Sequence, residues 1–96
     1  MAELPIQSGF VLQYVVVEVL RSAHRHDVEP EDIQHVLHHA LVVDEIAEDP
    51  TRYLVLGVDR AGRLLELVVI DRLQGPAVIH AMSMRSKYQS LLPKGE

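Results

Sequence analysis

Four side chains whose functional groups can take part in catalysis lie close together in sequence: His80, Arg85, Lys87 and Tyr88. Metal-independent cleavage of RNA needs a base for the attacking 2′-hydroxyl and an acid for the leaving oxygen. It also needs cations for the negative charge that develops on the phosphate. These four residues can supply all of these groups, and we take them as candidate catalytic residues.

Two further arginines lie in segments that we predict to be neighbouring strands. Arg52 precedes the segment "YLVLGVD", and Arg63 precedes "LLELVVID". Both are candidate substrate-binding residues because strands that pair can present them on one side of a sheet. The structural alternative stays open: Tyr88 can be a core aromatic, and exposed charges commonly have no role beyond solvation.

A second group of titratable side chains consists of His35, His38 and His39. His35 and His39 have the i, i+4 spacing of a two-histidine metal clamp, but no third ligand is evident. We therefore predict a solvated histidine face and no metal site. No cofactor is expected, because the chain has neither a glycine-rich phosphate loop nor a dinucleotide-binding fingerprint.

The charge is distributed unevenly along the sequence. The net charge is −5, yet residues 1–50 carry two basic and ten acidic side chains, whereas residues 51–96 carry seven basic and four acidic ones. General nucleic-acid binding usually requires a basic domain. The second half can nevertheless form a local site for the phosphates of an RNA substrate.

Length and composition favour one domain spanning residues 1–96, with residues 1–8 and 94–96 expected to be flexible. The chain has no cysteine, which suits a cytoplasmic protein. No apolar run approaches the roughly 20 residues that cross a bilayer, so we expect no membrane partner. With 48% apolar residues in a short chain, surplus apolar surface around Val15, Val17 or the outer strands favours a homodimer.

Hydrophobic periodicity predicts two helices followed by strands. Apolar residues at helical spacing predict helices at about Val11–His24 and Pro30–Leu41, and the second has Pro30 at its first position. Four β segments separated by Gly, Pro and Asp signals follow. The predicted fold class is α+β, with two N-terminal helices packed on an antiparallel β-meander of three to four strands and a short C-terminal helix.

Two local features sharpen this prediction. The turn "DRAG" predicts a hairpin that pairs Tyr53–Asp59 with Leu64–Ile70, with Gly62 able to adopt positive φ. Ser83 can cap the final helix, in which Met84 begins the apolar spacing.

Several segments together resemble the BrnT family of ribonuclease toxins, which have a compact relative of the RelE fold. The resemblance covers roughly residues 20–90 and lies in "RSAHRHDVEPEDI", "RYLVLGVDRAGRLLELVVI" and "VIHAMSMRSKY". Three positions depart from the family: Asp27 replaces a glycine, His80 a serine and Met82 an arginine. We expect Arg85 to take the place of that arginine.

The resemblance implies the toxin-like component of a bacterial type II toxin–antitoxin system, acting as a metal-independent endoribonuclease. Its implied partners are a cognate antitoxin protein, whose acidic segment would cover the basic second half, and an RNA substrate. The alternative is a noncatalytic interaction module or homodimer of the same fold, whose basic residues only shape an interface.

Overall fold

A five-stranded mixed sheet organises the structure, a computed structural model that describes residues 17–94. Its elements follow in the order β1 (Glu18–Val19), a first 3-10 helix (Arg21–His24), α1 (Pro30–His38), β2 (Val42–Ala47), β3 (Arg52–Val58), β4 (Leu64–Ile70), β5 (Ala77–Ser83) and a second 3-10 helix (Ser86–Leu91). The spatial order of the strands is β1-β5-β4-β3-β2.

Strands β2 to β5 form an antiparallel meander, and β1 adds to its far edge. β1 runs parallel to β5, pairing Glu18 with Ala77 and Val19 with Val78. This pairing joins residues that are far apart in sequence. It places the first 3-10 helix directly beside β5.

The hydrophobic core lies between α1 and one face of the sheet. Ile33, Val36 and Leu37 of α1 are buried against the sheet, at the spacing that puts them on one helical face. β3 and β4 contribute alternate residues, as the period of two of a strand requires, whereas the two core residues of β5 are separated by a register irregularity. These sheet residues are Tyr53, Val55, Leu65, Leu67, Val69, Val78 and Ala81.

The predicted pair of N-terminal helices is wrong. Within the described part of the predicted Val11–His24 helix, Glu18–Val19 is a strand and Arg21–His24 is a single 3-10 turn. The β-branched valines favour extended backbone, and the backbone of Glu18–Val19 pairs with β5. Val17 is only 8% exposed and belongs to the core, while Val11–Val16 lies outside the described residues.

The remaining helices also differ from the prediction. α1 begins at Pro30 as predicted but ends at His38, three residues before Leu41. The final element is a 3-10 helix, and Ser83, its predicted cap, is instead the last residue of β5. Tyr88 and Leu92 are only half-buried, so the segment lacks the buried face that would stabilise an α-helix.

The predicted hairpin is confirmed. β3 and β4 pair in continuous antiparallel register from Arg52 with Ile70 to Val58 with Leu64. The Asp59 carboxylate accepts hydrogen bonds from the amides of Ala61 and Arg63 at the turn, at 2.9 and 2.8 Å. Gly62 adopts a φ of +86°, a conformation in which the absence of Cβ avoids strain.

Other expectations concern the ends of the chain and membranes. The segments predicted to be flexible, residues 1–8 and 94–96, lie outside the described residues except for Lys94. Within residues 17–94, no helix combines the length and the apolar content needed to cross a bilayer.

The close approach of α1 to β3 yields a stability prediction at Gly57. A Cβ at this position would lie 3.0 Å from Val36 Cγ1 and 3.6 Å from the Ala40 Cα. Because overpacking a tight contact costs about 1 to 3 kcal/mol, Gly57→Ala should lower the free energy of unfolding by that amount in urea denaturation.

The control is Val36→Ala, which removes the clashing methyl group. Gly57→Ala should cost clearly less in the Val36→Ala background than in the wild type, because the two positions share one contact. Equal costs in both backgrounds would show that Val36 does not limit the space at Gly57.

Candidate functional site

A buried carboxylate is the centre of the candidate site. Glu66 lies in the middle of β4, between Leu65 and Leu67, which belong to the core beneath α1. Strand alternation therefore directs Glu66 to the opposite face of the sheet. Its side chain is fully buried, and a buried charge requires both a partner and hydrogen bonds.

Arg85 provides the first partner of this carboxylate. The Arg85 Nη2 lies 2.6 Å from Glu66 Oε2, and Nε lies 3.1 Å from each carboxylate oxygen. The Arg85 backbone N–H also donates to Oε1 at 2.9 Å. These bonds fix the course of the chain where it leaves β5.

His80 provides the second partner, with its Nε2 at 3.0 Å from Glu66 Oε2. His80 on β5 pairs with Val68 on β4, two pairs along from Glu66 and Met82 and next to a register irregularity between Val68 and Val69. An ionised carboxylate accepts hydrogen bonds, so Nε2 carries the hydrogen. Nδ1 is then the ring nitrogen that can accept a proton.

The charges in the cluster determine the ionisation of Glu66. Burial is the largest single influence and raises the pKa of Glu66, but it is outweighed by hydrogen bonds from the Arg85 side chain, the Arg85 amide and His80. The pKa of Glu66 therefore lies below its ordinary value. The same ion pair raises the pKa of Arg85, chiefly through the side-chain hydrogen bond to Glu66.

Tyr88 extends the cluster towards solvent. The Arg85 guanidinium carbon lies 5.6 Å from the centre of the Tyr88 ring, and the Lys87 Nζ lies 5.1 Å from it. Both distances allow a cation–π interaction. The structure thus brings His80, Arg85, Lys87 and Tyr88 together at the junction of β5 and the second 3-10 helix.

A cleft of about 420 Å³ borders this cluster. The polar side chains that line it are Ser22, Arg25, His26, His80 and Arg85. Ser22 Oγ donates to the Ile79 carbonyl at 2.7 Å, which holds the first 3-10 helix against β5. Two arginines and two histidines make the lining favourable for an anionic ligand.

The two predicted substrate-binding arginines lie elsewhere. Arg52 pairs with Ile70, four residues along β4 from Glu66, which is roughly 13 Å at about 3.3 Å per residue. Arg63 is bound to Asp59 at 3.0 Å and lines an adjoining cleft that also contains His26. The structure therefore separates Arg52 from the cluster. It places Arg63 in a second cleft, which shares His26 with the cleft beside the cluster.

The sequence analysis missed Glu66, Arg25 and His26. Glu66 had a local signal, because a lone charge within the apolar run "LLELVVI" must find a buried partner. Arg25 and His26 had none, since the contact of the first 3-10 helix with β5 depends on long-range strand pairing.

The histidines at the end of α1 and directly after it form a separate group. His35 Nδ1 lies 2.8 Å from the Val58 carbonyl oxygen, and the ring centres of His35 and His39 are 4.7 Å apart. Within residues 17–94, no three His, Cys, Asp or Glu side chains are arranged to hold a metal ion.

Comparisons with known proteins found no matching family model, no similar curated protein and no similar solved structure.

The Glu66–Arg85 pair generates a prediction about stability. Arg85→Ala should lower the free energy of unfolding more than Glu66→Gln, because it leaves a buried carboxylate without its cation. Glu66→Gln leaves an arginine whose side chain is 46% exposed and can be hydrated, and should cost roughly 1 to 3 kcal/mol. Urea denaturation of both variants at pH 7 measures the difference.

The pH dependence has a defined sign. Because folding lowers the pKa of Glu66, its stabilising contribution is complete above the ordinary value of 4.5 and is lost as the pH falls through the folded-state value. The difference between wild type and Arg85→Ala should therefore shrink in acid. A difference that stays constant from pH 7 to pH 3 would show that Glu66 is not ionised in the fold.

Proposed function

We propose that this protein is a metal-independent endoribonuclease and the toxin-like component of a bacterial type II toxin–antitoxin system. The observation that supports this proposal best is the convergence of His80 and Arg85 on buried Glu66 beside a cleft lined by basic side chains. This arrangement combines an oriented proton acceptor with a fixed cation.

The chemistry follows from the two contacts of Glu66. With Nε2 bound to the carboxylate, His80 can use Nδ1 to remove the proton from a 2′-hydroxyl, and Glu66 stabilises the imidazolium that forms. Of the three guanidinium nitrogens of Arg85, Nε and Nη2 donate to Glu66, and 46% of the Arg85 side chain is exposed. The guanidinium therefore retains donors for the charged phosphate in the transition state.

Lys87 and Tyr88 add to the site from the second 3-10 helix. Lys87 brings a further positive charge, and its Nζ and the Arg85 guanidinium both lie within 6 Å of the Tyr88 ring centre. In this proposal both residues hold the RNA backbone near the cleft rather than take part in proton transfer.

The resemblance to the BrnT family supports the biological part of the proposal. Asp27 stands where that family has glycine, and it adopts a φ of +62°, the left-handed conformation that glycine favours. The backbone at this corner thus suits the family pattern despite the different residue. A cognate antitoxin with an acidic segment is the partner we propose for the basic cleft.

A noncatalytic interaction module is the second candidate, and the exposed edge strand β2 favours it. β2 is an outer strand of the described sheet, and Val43 and Ile46 on it are 39% and 49% exposed. Leu41, immediately before the strand, is 48% exposed. Apolar side chains along a sheet edge are a common basis for pairing with another chain, including a homodimer partner.

His80→Gln tests the ribonuclease proposal. Glutamine can keep an N–H donor to Glu66 but cannot carry a proton, so cleavage should fall by about 100-fold or more while the fold is retained. The measurement is the cleavage rate of single-stranded RNA with purified protein in the presence of EDTA, alongside thermal unfolding of each variant.

His38→Gln is the matched control, because His38 is an exposed histidine of α1 outside the cleft. It should cleave RNA at the wild-type rate. Absence of cleavage by the wild-type protein with EDTA, or equal rates for wild type and His80→Gln, would reject the ribonuclease. The interaction module would then take its place.

A further inference from the structure

We infer that His26 is the general acid that acts opposite His80, and that the cleft they share binds one phosphodiester of RNA. This inference rests on the proposed ribonuclease function and assigns the second proton-transfer group, which the roles proposed above for His80, Arg85, Lys87 and Tyr88 leave unassigned. It also gives the cleft a defined ligand, a phosphodiester next to a free 2′-hydroxyl.

The first support is the geometry of the two imidazoles. The ring centres of His26 and His80 are 5.8 Å apart, with an angle of 80° between the ring planes. Both rings line the same cleft, although they come from different parts of the chain. At this separation, ring nitrogens from both histidines can reach oxygens of one bound phosphate group.

The second support is that the backbone holds His26 in place. The Ser22 Oγ hydrogen bond to the Ile79 carbonyl anchors the first 3-10 helix, and the Leu20 amide donates to the Val78 carbonyl at 2.9 Å. The Asp27 amide donates to the His24 carbonyl at 3.2 Å, which closes the turn that contains His26. The position of His26 beside β5 is therefore built into the fold.

The surroundings of the two histidines differ, and this difference assigns their roles. His80 is bound to Glu66, which stabilises the imidazolium formed when the ring accepts a proton. His26 is exposed, follows Arg25 in sequence and lines the same cleft. His80 thus acts as base, because Glu66 binds its Nε2 hydrogen and leaves Nδ1 to accept a proton, and His26, the other imidazole of the cleft, acts as acid.

The reaction is balanced without any other reactant. The 2′-oxygen forms a bond to phosphorus as its proton passes to His80, and the bond from phosphorus to the 5′-oxygen breaks as His26 donates a proton to that oxygen. The products are a 2′,3′-cyclic phosphate and a 5′-hydroxyl. Proton exchange with water returns both rings to their starting states, while Arg25 and Arg85 stabilise the phosphate charge.

A substrate that needs no acid tests this assignment. Uridine 3′-(4-nitrophenyl phosphate) has a leaving group that departs as a stable anion, so its cleavage requires a base but no proton donor. His26→Gln should lower RNA cleavage by about 100-fold or more. It should leave cleavage of the aryl ester within a few-fold of wild type, whereas His80→Gln should lower both.

His24→Gln is the matched control, because His24 is an exposed histidine two residues away that does not line the shared cleft. It should cleave both substrates like wild type. An equal loss on both substrates for His26→Gln, or no loss on RNA, would overturn the role of His26 while leaving the ribonuclease proposal standing. If wild-type protein cleaves neither substrate, the proposed function itself fails, and the role of His26 with it.

Discussion

The burial of the Glu66 carboxylate is the constraint on which the rest of the site depends. A charge that is fully removed from water must be matched by nearby donors, and here the donors come from β5 and from the residue that follows it by two positions. The pairing aligns His80 and fixes Arg85 in both side chain and backbone. The hydrogen bonds between Glu66 and Arg85 therefore also hold the segment after β5 to the sheet.

The parallel pairing of β1 with β5 completes the site from the other end of the chain. This pairing and the hydrogen bond from Ser22 Oγ to the Ile79 carbonyl hold the first 3-10 helix beside β5. Arg25 and His26 line the cleft because they directly follow this helix. The site thus unites a segment near residue 25 with one near residue 80. The first segment contributes Arg25 and His26 to the cleft, and the second contributes His80 and Arg85.

Sequence patterns predicted the elements that are determined by interactions between residues close together in the chain. The β3–β4 hairpin follows from a two-residue period and the turn around Gly62, and α1 follows from Pro30 and one apolar stripe. The prediction of the first helix was wrong because the spacing of its valines is typical of a helix, whereas their β-branched side chains favour a strand. The strand forms because β5, nearly sixty residues away in sequence, pairs with it. His80, Arg85, Lys87 and Tyr88 could be grouped from the sequence because they are neighbours in it, and their catalytic role stays a prediction. Glu66 and His26 join that group only through sheet register and long-range contact.

The tautomer of His80 tests the central claim, that an ionised and buried Glu66 orients this histidine as a base. Imidazole ¹⁵N shifts of uniformly labelled protein, recorded at a pH where the ring is neutral, report which nitrogen carries the hydrogen. The account predicts a protonated Nε2 and an unprotonated Nδ1, and loss of that preference in Glu66→Leu. A neutral ring with its hydrogen on Nδ1, or a tautomer that does not respond to the loss of Glu66, would contradict it.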